Sequence, residues 1–87
     1  MSLQILRQND LGLNRADFAA RVNAMHGLPQ PLTEYDIADI ENPNSPKQYS
    51  RVQIEEIALF LTRELSKDHS RLILYTDIPG LAAKVQS

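Results

Sequence analysis

The sequence predicts an all-α domain of four or five helices, and three features of its 87 residues carry that expectation. A capping pattern recurs three times, apolar residues after each copy fall at helical spacing, and proline-bearing segments separate the runs. In each copy an apolar residue precedes a side chain with an acceptor oxygen, an acid or amide follows three positions later, and an apolar residue comes next. Asn14, Thr33 and Ser50 are the expected caps, with Asp17, Asp36 and Gln53 at the third helical position. Leu13/Phe18, Leu32/Ile37 and Tyr49/Ile54 are the matching hydrophobic staples.

Leu3, Leu6 and Leu11 suggest a first helix of two or three turns ending near Asp10. Phe18, Ala19, Val22 and Met25 carry the second from about Arg15 to His26, and Gly27 offers a left-handed end. The third is short: Ile37 and Ile40 share one face, and Pro43 disfavours helical backbone at Asn42. Ile54, Ile57, Ala58, Leu61 and Leu65 form the long apolar stripe of a core helix, the fourth. Gly27-Leu28-Pro29-Gln30-Pro31 favours an extended link, and Asn42 to Gln48 is a loop by composition.

Beyond Lys67 the run Leu72-Ile73-Leu74-Tyr75 is apolar throughout, too short for its period to separate a short C-terminal strand from a helix. Asp77-Ile78-Pro79-Gly80 then turns the chain, and Leu81 to Val85 adds a last helical turn. The expected organisation is a helical domain over 1–67 with a C-terminal appendage over 68–87.

Nine Lys and Arg against eleven Asp and Glu give a formal charge of −2, so any affinity for nucleic acid must come from local patterning. The absence of Cys excludes disulfides and thiolate zinc sites. No apolar run approaches the roughly 20 residues that span a bilayer, and the chain reads as cytoplasmic. His26 and His69 are far apart, Ser50 and Ser70 lack a nucleophile-elbow context, and three glycines make no phosphate loop. Neither catalysis, metal nor cofactor is expected.

Gly12-Leu13-Asn14-Arg15-Ala16-Asp17-Phe18-Ala19-Ala20-Arg21-Val22 and Leu32-Thr33-Glu34-Tyr35-Asp36-Ile37-Ala38-Asp39-Ile40-Glu41-Asn42 together resemble the helix-turn-helix of phage repressor and Cro-type proteins, the lambda-repressor-like DNA-binding domains. The resemblance runs from about Leu3 to Leu65. It implies sequence-specific binding of double-stranded DNA by a small transcriptional regulator, with the third helix in the major groove. Glu34, Tyr35 and Asp39 fall where that family reaches base edges, and a carboxylate there can accept from the cytosine amino group. Asn14, Arg15, Asn42, Lys47 and Arg51 fall in its phosphate-contacting regions, Arg15 opening the second helix and Lys47 and Arg51 flanking the start of the fourth. Glu41 resembles a family glutamate that pairs with a basic residue of the first helix, here Arg7. The chain departs from the family in its long link between the second and third helices, in Pro43, and in a third helix with Glu34, Asp36, Asp39 and Glu41 but no Lys or Arg.

Phe60, Leu72, Leu74 and Tyr75 are apolar residues beyond the evident needs of one small core. Either the tail folds back on its own domain or these residues form a homodimer suited to a palindromic site. On the dimer reading, deletion beyond Lys67 leaves a folded monomer. The alternative to DNA binding is a protein-interaction adaptor that turns its acidic third helix toward a basic partner.

Overall fold

All three expected caps start helices in the computed structural model, which describes residues 2–66 and 72–86 and is mostly helical. Helix α1 (Leu3–Ile5) runs on into a wider π turn over Leu6–Asp10, closed by the Leu11 N–H donating to the Leu6 carbonyl at 3.0 Å. Helices α2 (Arg15–His26), α3 (Glu34–Glu41) and α4 (Arg51–Leu65) follow, and a 3-10 turn (Tyr75–Asp77) leads into the short α5 (Pro79–Ala82). The Asn14 carboxamide oxygen accepts the Asp17 N–H at 2.7 Å. Thr33 with Asp36, and Ser50 with Gln53, form reciprocal capping boxes. These bonds satisfy amides that the first helical turn leaves without partners.

The apolar stripes meet in one core. Phe18, Val22, Ile37, Ile40, Ile54, Ile57 and Leu61 are all buried there, and the Leu32/Ile37 and Tyr49/Ile54 staple residues join them. Ala19 is buried on α2, where a small side chain lets the neighbouring helix approach. Phe60 is a correction to the dimer reading. It is 4% exposed and stands edge to face against Phe18, ring centroids 5.3 Å apart, an arrangement that adds about 0.5–1.5 kcal/mol to simple burial. A core residue of this kind has no surface left for a partner.

The link between α2 and α3 occupies residues 27–33, and side chains hold it. Gly27 ends α2 with φ of 64°, the left-handed conformation that glycine tolerates best. The Asn23 carboxamide then brackets the Leu32 backbone, accepting its N–H at 2.8 Å and donating to its carbonyl at 2.7 Å. Gln53 donates to the Gln30 carbonyl at 3.0 Å, while Leu28 and Leu32 turn into the core. These contacts give an extended, proline-bearing segment one path.

The appendage belongs to the same core. Residues 67–71 lie outside the described residues, but Ile73, Ile78 and Leu81 are 4%, 0% and 0% exposed in the main cluster. No strand forms among the described residues. Residues 72–74 run without regular structure into the 3-10 turn, and the Thr62 hydroxyl accepts the Ile73 N–H at 2.9 Å. The nearest approach to a sheet is one parallel bridge, in which Tyr49 donates to the Lys84 carbonyl and accepts from the Gln86 N–H, both at 2.8 Å.

Truncation beyond Lys67 therefore removes three core side chains, and the truncated chain should unfold where the dimer reading expects a folded monomer. Ile78→Ala or Leu81→Ala should each cost about 2–5 kcal/mol. Urea unfolding followed by circular dichroism measures this, and a folded truncated chain would show the tail to be dispensable.

Candidate functional site

Helix α3 is fixed at both ends by charged side chains. At its C-terminal end, the Arg7 guanidinium forks onto Glu41, Nε to Oε2 at 2.6 Å and Nη2 to Oε1 at 3.0 Å. Both side chains are nearly inaccessible, at 4% and 2% exposure. Arg7 also donates Nη1 to the Leu13 carbonyl at 2.9 Å, and Arg15 brings Nε to within 3.1 Å of Glu41 Oε1. The expected Arg7–Glu41 pair is present, and it joins the first segment, the entry to α2 and the end of α3. Two guanidinium groups around one carboxylate leave this corner with a net positive charge.

The first turn of α3 meets the loop before α4. Asp36 accepts the Thr33 N–H at 2.8 Å as part of the capping box, the Tyr49 hydroxyl at 3.1 Å and the Lys47 ammonium at 3.2 Å. Burial alone raises the Asp36 carboxyl, but the Thr33, Lys47 and Tyr49 contacts together outweigh it and hold the group below its ordinary value. Lys47 also stands 5.1 Å from the centre of the Tyr49 ring, a cation–π contact. Tyr49 is 4% exposed. Burial, and after it the charges of Asp36 and Asp39, push its hydroxyl well above the ordinary tyrosine value.

The residues expected to read bases separate into two groups. Glu34 and Tyr35 stand on the exposed surface of α3, Tyr35 with 74% of its area accessible. Asp39 is partly buried: Oδ1 accepts from the Ser45 hydroxyl at 3.3 Å, and Oδ2 lies 3.4 Å from the Tyr49 hydroxyl, whose single proton it shares with Asp36. It braces the 45–49 loop, so its oxygens have partners within the fold.

The expected phosphate contacts divide similarly. Arg15 and Lys47 both reach α3, one at its last residue and one at its first turn, and remain 45% and 55% exposed. Arg51 does not join them. It pairs with Glu55 at 2.9 Å and lines a groove of about 400 Å³ with Leu59, Leu72, Leu74 and Tyr75. The Asn14 oxygen is committed to its cap, and Asn42 Oδ1 accepts the Asn44 N–H at 3.0 Å. Of the remaining residues expected to dimerise, Leu72 is 61% and Leu74 49% exposed, while Tyr75 is half-buried against the core.

Two residues that matter here were not singled out by sequence. Tyr49 reads as a staple residue, yet its hydroxyl is the hub between α3 and the following loop. Lys84 reads as a surface lysine, yet it is 4% exposed. Its signal was its position three residues after buried Leu81, on the inward period of the last helical turn. Among the described residues, no group of three or more His, Cys, Asp or Glu side chains is placed to hold a metal ion, and no helix is long and apolar enough to cross a membrane. Compared with family models, curated proteins and solved structures, the chain matches none.

The Asp36–Tyr49 contact should make stability depend on pH at both extremes. A carboxyl lowered on folding stabilises above its ordinary value of 3.8, and that contribution is lost as pH falls through the lower folded value. A hydroxyl raised on folding stabilises below its ordinary value of 10.0 and loses that contribution as pH climbs above it. Asp36→Asn should flatten the acid limb and Tyr49→Phe the alkaline limb of a stability profile from urea titrations. Unchanged limbs in both variants would remove these groups as its cause.

Proposed function

We propose that the chain is a small regulator that binds double-stranded DNA with helix α3 in the major groove. The observation that carries this reading is the placement of two exposed cations, Arg15 and Lys47, near opposite ends of α3, with exposed Glu34 and Tyr35 on the same helix. On this reading the two cations meet phosphates, and Glu34 and Tyr35, at the start of the helix, meet base edges. Arg15 uses only Nε toward Glu41, so its terminal nitrogens remain donors. Both cations are about half exposed although the side chains of their acid partners are largely buried, so a phosphate can approach them from solvent.

The adaptor reading has its own support. Helix α3 carries four carboxylates, of which Asp36 and Glu41 already engage Lys47, Arg7 and Arg15. On that reading Glu34 and Tyr35 receive a basic protein surface.

A regulator that reads a palindrome needs two copies. The second copy is assigned to the groove between α4 and the tail, where Leu59, Leu72 and Leu74 offer exposed apolar surface. Fibrous growth is avoided if the contact is two-fold, because an isologous contact closes on itself.

Arg15→Ala and Lys47→Ala should weaken binding to all duplexes alike and lower the salt slope by about one per lost phosphate contact. Fluorescence anisotropy with a duplex selected from random sequence measures both. Unchanged affinity at low salt in both variants would sink the DNA reading, and recovery of a basic protein but no duplex would favour the adaptor. The double variant Leu72→Ser, Leu74→Ser should sediment as a folded monomer where the parent sediments as a dimer. A monomeric parent at high concentration would refute the pairing.

A further inference from the structure

A cleft of about 550 Å³ lies where the start of α1, the loop after α3 and helix α5 meet. Its wall is largely apolar, with Leu3, Ile40, Pro43, Pro46 and Ala83 among its lining, and its volume falls in the range of small-ligand sites. Lys84 also lines it, and Lys84 is the unusual residue. It is 4% exposed, and its ammonium donates to the Asn42 carbonyl at 3.0 Å and to the Ser45 carbonyl.

Those two carbonyls account for two of the three ammonium hydrogens but not for the charge. Among the described residues no carboxylate lies within ion-pair distance of Lys84. Glu41, which also lines the cleft, is taken by Arg7 and Arg15 and carries no negative charge to spare. A buried cation without an anion is expensive, and an apolar wall beside it makes an incoming carboxylate more effective than it is in water.

We propose that this cleft binds a small monocarboxylate with a compact apolar body, the carboxylate on Lys84 and the body against Leu3, Ile40, Pro43 and Ala83. The site is separate from the exposed face of α3 and does not depend on what that face binds. It does touch the C-terminal end of α3 through Ile40 and Glu41, so its occupant stabilises the helix end.

Hexanoate is a suitable probe, with hexan-1-ol and hexylammonium as matched controls. In an amide NMR titration, hexanoate should produce saturable shifts at Ser45, Gly80 and Ala83 in the millimolar range, and the two controls should bind at least about tenfold more weakly. Lys84→Met retains the alkyl stem and should abolish the preference for the carboxylate. Because that variant also removes a donor from two carbonyls, Ala83→Phe provides a second check. It fills the cleft from an exposed position and should weaken hexanoate at least about tenfold in a chain with a native spectrum. Absence of saturable shifts, equal binding of hexanoate and hexan-1-ol, or undiminished binding to the Ala83→Phe variant would each overturn the proposal.

Discussion

The buried pair of Arg7 and Glu41 is the constraint on which the remaining architecture depends. Two charges withdrawn from water to this extent are tolerated only when geometry and additional hydrogen bonds compensate them. The fork from Arg7, its third contact to the Leu13 carbonyl and the approach of Arg15 provide that compensation. The pair therefore admits one arrangement of three segments: the π turn, the entry to α2 and the end of α3. Apolar contacts between the same segments are less directional and would permit sliding. Removing one partner leaves the other buried and unpaired, a change that costs about 3–5 kcal/mol in comparable pairs.

The same principle governs the irregular backbone. A non-helical segment near the core needs partners for its N–H and carbonyl groups. Here they come from side chains on neighbouring helices, Asn23 for Leu32, Gln53 for Gln30 and Thr62 for Ile73, and from Lys84 in the turn after α5, for Asn42 and Ser45. Among the described residues no buried side-chain nitrogen or oxygen lacks a partner. A chain of this length has little apolar area to spend on precision. Directional polar contacts supply the precision that a larger core would obtain from packing.

These contacts also shape the candidate interface. Arg15 and Lys47 are held near α3 by the acids of that helix, Glu41 and Asp36. An acidic third helix without these cations would repel phosphate. With them, the charge around the helix is closer to balanced. The cleft around Lys84 follows a different logic, because its cation has only carbonyls for partners.

Much of the helical framework was legible in the sequence because capping and periodicity are local. Asn14, Thr33 and Ser50 cap the helices they were expected to cap, and the stripes of α2, α3 and α4 are buried as their spacing required. The Arg7–Glu41 pair was legible only through a resemblance, since the two residues are 34 positions apart. What tertiary structure alone decided was the fate of groups with several available roles. Leu72 to Tyr75 carried no period that could separate strand from helix, and its direction was set by Thr62 and by the room beside α4. Phe60 is packed inward against Phe18, while Arg51 pairs with Glu55 and not with the acids of α3. Asp39 and Tyr49 found each other across a loop, and Lys84 was buried because two carbonyls there required a donor. Caps and stripes depend on neighbours within one turn, which the sequence by itself determines; a side chain's choice among distant partners depends on where the folded backbone places them.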